Sequence, residues 1–171
     1  PAADQAAVAP WVQEMVRGMA SCLKPSTDGP APLLRTLDDL RRYCWYVAGT
    51  VGHLLTGLFT RHISGIGAER LATLERLAPQ FGLGLQLTNV IRDIADDHRH
   101  GRSFIPEELW ARAGLRPAAF GTPGTEARAW GIVAPLLAEN ERCLEDALAY
   151  STALPRHALR VRVFCLTSLF F

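Results

Sequence analysis

The chain has 171 residues, 49% of them hydrophobic and 20% charged, with a formal net charge of +1. That composition excludes disorder and provides the core of one domain. The near-neutral charge excludes the electrostatic footprint of a nucleic-acid binder, and no apolar run is long enough to span a bilayer. Lys24 is the single lysine. Arginine, which suits bidentate phosphate binding, supplies nearly all the positive charge, although a GC-rich genome gives the same bias. Cys22, Cys44, Cys143 and Cys165 form no CxxC pair, so reduced thiols and a cytoplasmic location are expected. The chain opens at Pro1 and ends in the apolar Phe170-Phe171. The expectation is therefore a single domain over residues 1–171, truncated at both ends.

In chain order, apolar spacing predicts a helix from Val8 to Leu23. Lys24 to Pro32, with Pro25, Gly29 and Pro30, reads as a loop. Thr36 is an N-cap candidate for a helix from Leu37 to about Arg61, and Asp38 and Asp39 suit its first turn. Gly49 and Gly52 interrupt that helix and predict a kink or a close neighbour, since an interior glycine costs about 1 kcal/mol against alanine. A helix from Ala68 to His98 follows, with Pro79 expected to bend or restart it. Arg99 to Ile105 is a turn around Gly101. Pro106 opens a short helix from Glu107 to Ala113. Arg116 to Gly124 is a loop, and Thr125 to Ala149 is an amphipathic helix with a kink expected at Pro135. Pro155 to Phe171 begins the last helix. No strand alternation appears, so the fold class is all-α.

One segment breaks the apolar pattern. Gln86, Asn89, Asp93 and Asp97 follow spacings that share a helix face, while Leu83, Leu87, Val90, Ile91 and Ile94 occupy the others. Carboxylates in apolar surroundings are costly unless something positive meets them. A hard cation such as Mg²⁺ resolves that cost and arrives with substrate phosphates and water. An isolated pair of aspartates at this spacing is most often a solvated face. Here the amides carry the stripe two turns upstream, into apolar sequence, which tells against that reading.

Three segments together resemble the squalene/phytoene synthase family: Tyr43-Cys-Trp-Tyr-Val-Ala-Gly-Thr-Val-Gly52, Gly84 through Asp97, and Gly101-Arg102-Ser-Phe-Ile-Pro106 followed by Glu107-Glu-Leu-Trp110. Val163-Phe164-Cys165 is a weaker fourth. The resemblance implies an isoprenoid-synthase-type helical bundle around a central cavity, present here in part. It implies an Mg²⁺-dependent prenyltransferase that joins two prenyl diphosphates head to head. The first segment leans toward the squalene branch, which takes two farnesyl diphosphates through presqualene diphosphate to squalene with NADPH. A phytoene synthase or a relative that stops at a presqualene-type intermediate is the alternative. A non-catalytic member acting as an assembly or interaction protein is another.

By the same resemblance, Asp93, Asp97 and Asn89 are metal-site candidates and Gln86 lines the same wall. Tyr43 is the catalytic candidate, orienting the departing diphosphate, handling a proton or stabilising a carbocation. Without the motif it reads as a core tyrosine. Arg92 reaches a phosphate or pairs with Asp96. Arg102 closes over a diphosphate or forms a surface salt bridge. Val47, Leu54, Leu83, Leu87 and Phe164 are candidates for an apolar, water-excluding wall. The family's first acid motif lies upstream of anything here. Leu37-Asp38-Asp39-Leu40 does not replace it, because it adjoins the tyrosine segment, so the chain alone is expected to be inactive. A monomer with peripheral membrane association and no nucleic-acid partner completes the expectation.

Overall fold

A computed structural model describes residues 2–22 and 34–170. The described residues form eight α-helices: α1 (Ala2–Cys22), α2 (Leu37–Cys44), α3 (Thr50–His62), α4 (Ala68–Arg92), α5 (Ile94–Arg99), α6 (Glu107–Ala113), α7 (Glu126–Ala153) and α8 (Leu159–Ser168). The all-α expectation holds. The predicted loop from Lys24 to Pro32 lies outside the described residues. No helix among the described residues is long and apolar enough to cross a membrane.

α4 is the central element and α7 its most extensive partner. Its buried residues, Leu74, Leu77, Ala78, Gly82, Gly84, Leu87 and Val90, leave no wholly polar side. Such a helix must be surrounded by others. Pro79 lies inside α4 and Pro135 inside α7, and neither ends its helix. The predicted restart at Pro79 does not occur. Packing on several sides holds the helix through the one backbone bond that proline cannot make.

The predicted helix from Leu37 to Arg61 is continuous in path but not in winding. Trp45–Gly49 forms a π-helical turn between α2 and α3. Such widened turns recur at functional sites. Here the turn meets α4 at backbone range. A Cβ added to Gly82 would overlap the Ala48 carbonyl, and one added to Gly52 would overlap the Ala78 carbonyl. Glycine is required at both positions because the neighbour is backbone and cannot rotate away. The close-neighbour expectation for Gly52 is met by Ala78.

Two apolar clusters flank this crossing. The first joins Leu40, Tyr43 and Cys44 with Leu87, Val90, Ile94, Ile105, Leu109, Trp110, Ile132 and Leu136. The second joins Leu74, Leu77, Ala78, Tyr150, Leu154 and Cys165. Each large aliphatic residue so buried contributes about 1.5–3 kcal/mol. The predicted last helix starts late, at Leu159 instead of Pro155, after a turn in which Ala158 N–H donates to Pro155 O at 2.9 Å.

Candidate functional site

Thr36 caps α2 as its sequence predicts. Its Oγ1 accepts from Asp39 N–H at 3.2 Å, and Asp39 Oδ2 accepts from Thr36 N–H at 3.0 Å. This is a reciprocal capping box. Asp39 is thus committed to the helix end, while Asp38 accepts from Arg41 Nη1 at 2.6 Å. Glu108 of α6 accepts from Leu37 N–H at 2.6 Å, and Glu107 N–H donates to Leu34 O at 2.9 Å. These bonds pin α6, and the turn before it, against the start of α2. The pinning brings Phe104 onto Tyr43, with ring centroids 5.0 Å apart and a tilt of 32°.

The acid stripe runs beside this pair. α4 ends at Arg92, and Asp93 sits at a junction with φ −97° and ψ 8° before α5 begins. The single helix predicted through His98 therefore has a break at Asp93. Helical bonds flank it: Asp93 N–H donates to Asn89 O at 2.9 Å, and Asp97 N–H donates to Asp93 O at 2.8 Å. The four stripe residues thus stay in helical sequence. Gln86 and Asn89 are half-buried. Their side-chain amides make no hydrogen bond to the described residues.

Each acid has its own arginine. Arg92 donates from Nε and Nη2 to the two oxygens of Asp93, at 2.8 and 3.0 Å. It does not pair with Asp96, which instead accepts from Arg99 at 2.8 Å. The Arg92 bonds hold the Asp93 carboxyl below the usual carboxylate range. Arg102 donates from Nε to Asp97 Oδ1 at 3.0 Å, and its backbone N–H donates to Asp97 O at 2.9 Å. The Asp97 side chain is only 14% exposed, against 40% for Asp93. Burial pushes the Tyr43 phenol up to about 12, and the charge of Asp97 adds to the push. Tyr43 is therefore a neutral hydroxyl at physiological pH.

Val47 and Leu83 pack partly buried against the first cluster. Leu83 also lines a groove of about 470 Å³ between α2, α4 and α7 with Arg41, Trp45, Pro79 and Glu139, a groove that includes none of the acid stripe. Phe164 is 52% exposed on α8, the helix whose Cys165 joins the second cluster. The structure does not bring Phe164 to the stripe. Among the described residues no group of three or more His, Cys, Asp or Glu side chains gathers as a metal centre. The oxygen donors of Asp93 and Asp97 still fit Mg²⁺, which takes one or two carboxylates and completes its shell with phosphate and water.

The sequence reading passed over Phe104, Glu139 and Asn140. Phe104 stood inside the Gly101 to Pro106 segment, which was the available signal. Glu139 and Asn140 are buried polar residues of α7. Glu139 accepts from Arg41 Nε and Nη2 at 2.6 and 2.8 Å, across 98 residues of sequence. The thiols of Cys143 and Cys165 are pushed up to about 11 by burial. They are packing groups, not nucleophiles.

A family profile described as squalene/phytoene synthase matches residues 1–169. Chloroplastic phytoene synthase of Daucus carota is 39% identical over 108 residues, covering 61% of this chain and 24% of that protein. Squalene synthase of Cyberlindnera jadinii is 32% identical over 138 residues, covering 81% and 30%. The chain thus spans less than a third of these curated relatives. The solved complex of TcSQS with the ligand BPH1237 superposes with a TM-score of 0.74 at 31% identity, over 88% of this chain and 42% of that one. A dehydrosqualene synthase bound to a ligand shares the fold, with a TM-score of 0.68 at 24% identity over 94% and 52%.

Proposed function

Since the chain belongs to the squalene/phytoene synthase family, we propose that it forms the tyrosine wall and one acid wall of an enzyme that joins two prenyl diphosphates head to head. The observation that carries this reading is the stripe itself. Half-buried amides at Gln86 and Asn89, without hydrogen-bond partners among the described residues, lead into the paired acids Asp93 and Asp97, beside Tyr43 and Phe104.

Asp93 and Asp97, with Asn89, would hold Mg²⁺. When bound, the metal supplies positive charge against the departing diphosphate. Arg92 and Arg102 stand at the same carboxylates and present planar forks that match phosphate oxygens. Burial favours the protonated Tyr43 phenol, whose hydroxyl would donate to the departing diphosphate. The rings of Tyr43 and Phe104 offer negative faces to a carbocation. Val47 and its apolar neighbours keep water from quenching that cation. Gln86 orients the substrate from the far end of the stripe.

Within this reaction class we assign farnesyl diphosphate as substrate and squalene as product, on the strength of the Tyr43 to Gly52 segment. That assignment requires NADPH, to which we assign no residue. The 39% identity to the carrot phytoene synthase favours a second reading, in which geranylgeranyl diphosphate is condensed without reductant. Incubation of the full-length protein to which this segment belongs with Mg²⁺ and either diphosphate, with and without NADPH, followed by mass spectrometry, decides between them. Squalene formed only with NADPH supports the first reading. Phytoene from geranylgeranyl diphosphate supports the second. Folded protein that consumes neither overturns both and leaves an assembly role.

A further inference from the structure

Trp110 was part of the third segment of resemblance, yet the proposed reaction gives it no task. It lies on α6 at 9% exposure, edge-on to Phe120 with centroids 5.8 Å apart. Its Nε1–H is fully buried and has no acceptor among the described residues. Buried donors in folded proteins almost always find a partner, protein or ordered water. Trp110 borders a small, partly open cavity. Trp110 lines it together with Asp97, Arg102, Ser103 and Phe104. Its volume is about 10 Å³, and about 10–15 Å³ is the room one water needs.

The cavity wall has the polar groups such a water requires. Asp97 Oδ1 accepts from Arg102 Nε, while its Oδ2 accepts no hydrogen bond from the described residues. Ser103 Oγ makes only a long bond, 3.4 Å, to Ile105 O. The residues lining this water-sized space thus carry an indole donor, a carboxylate acceptor, a hydroxyl and the Arg102 guanidinium. Buried waters typically make about three hydrogen bonds. Resting on the proposed metal role of Asp97, we propose that an ordered water in this cavity accepts from Trp110 Nε1–H and donates to Asp97 Oδ2. Trp110 is then a positioning residue for the metal-site carboxylate. Arg102 fixes one oxygen of Asp97 and the water fixes the other, so the carboxylate plane is set before metal and diphosphate arrive.

The test uses the intact chain labelled with ¹⁵N. The indole N–H signal of Trp110 is assigned as the one lost in Trp110→Phe. In the wild type it should show a nuclear Overhauser contact to a long-lived water. Uptake of Mn²⁺ in the presence of pyrophosphate is then measured for both proteins. Trp110→Phe keeps the ring packing and loses the donor, and it should weaken uptake about 10-fold with its melting temperature little changed. If that variant does not fold, Ser103→Ala takes its place and should weaken uptake in the same direction. An indole signal with no water contact overturns the bridge. Unchanged uptake in the variant overturns the positioning role. Wild-type protein that takes up no Mn²⁺ with pyrophosphate overturns the functional reading beneath it, and the water contact is still decided by the spectrum.

Discussion

The middle of α4 and its C-terminal end are held by different physics. Around Ala78 and Gly82, backbone meets backbone, and the polar groups are neutral and buried. Thr56 Oγ1 donates to Gly52 O at 2.8 Å and lies 2.8 Å from Tyr150 Oη. Around Asp93 and Asp97, contacts are ionic and half-solvated, with Arg92 56% and Arg102 52% exposed. Exposed ion pairs contribute at most about 1 kcal/mol each. Close-packed cores resist deformation, and even one added methylene is felt there. Stability therefore resides at the glycine crossing, and groups free to exchange partners reside at the acid end. A site that must take up a charged ligand and release it needs that division.

The sharpest way to break the comparison is to put methyl groups into the crossing. Gly82→Ala and Gly52→Ala each drive a Cβ into a carbonyl of the facing helix. Each should cost about 3 kcal/mol or more, at the upper end for overpacking. Gly131, on the exposed side of α7, has nothing within 4 Å of an added Cβ. Gly131→Ala should stabilise by about 0.4–1 kcal/mol. Denaturant melts of the three variants give the contrast. Gains at all three would show that helix propensity, and not contact, governs these positions.

These residues also mark what the sequence could show. Apolar spacing and caps placed most helices, because both are local. The Thr36 capping box and the Pro106 helix start were visible for that reason. The π turn was not, because one extra residue in a turn leaves the apolar pattern nearly intact while shifting which backbone atoms face α4. The reason for Gly52 was half legible: an interior glycine signals a neighbour, and only the fold identifies it as Ala78. The stripe from Gln86 to Asp97 was legible as a face. That it lies beside Tyr43 is shown by the structure alone, in which the Glu108–Leu37 bond fixes α6 and Phe104 rests on Tyr43. The Arg41–Glu139 pair spans 98 residues, and no local rule predicts it.

A smaller loss is expected at the neutral polar contact. Thr56→Val keeps the shape and removes the hydroxyl. Tyr150, 3% exposed, then has a buried Oη with no partner. The expected cost is about 1–3 kcal/mol, and Tyr150→Phe made on top of Thr56→Val should recover part of it. A double variant no more stable than Thr56→Val would mean that the hydroxyl pair is not the source of the loss.

The two tyrosines carry the comparison into pH. Burial pushes both Tyr43 and Tyr150 up to about 12. A folded pKa above the unfolded value of about 10 contributes stability that is full below pH ~10 and is lost as pH rises toward 12. Spectroscopic titration should show both phenols resisting ionisation in the folded chain. Asp97→Asn removes a charge that raises Tyr43 and does not act on Tyr150. It should lower the Tyr43 midpoint alone. Equal movement of both would mean general loosening instead of a local field.

The smallest effect on stability is expected where the largest effect on ligand binding lies. Asp93 is 40% exposed, and its partner Arg92 is more exposed still. Asp93→Asn leaves side-chain volume nearly unchanged and gives up one screened ion pair, so stability should change by less than about 1 kcal/mol. Binding depends on a different quantity. A neutral amide is a poor ligand for a hard divalent cation, and it no longer offsets the charge that the cation brings. Calorimetry should therefore show uptake of Mg²⁺ with pyrophosphate reduced at least about 10-fold in a protein that melts like the wild type. The opposite pattern, a clear loss of stability with binding intact, would make the Arg92–Asp93 pair part of the scaffold. It would also remove the distinction between the middle of α4 and its acid end.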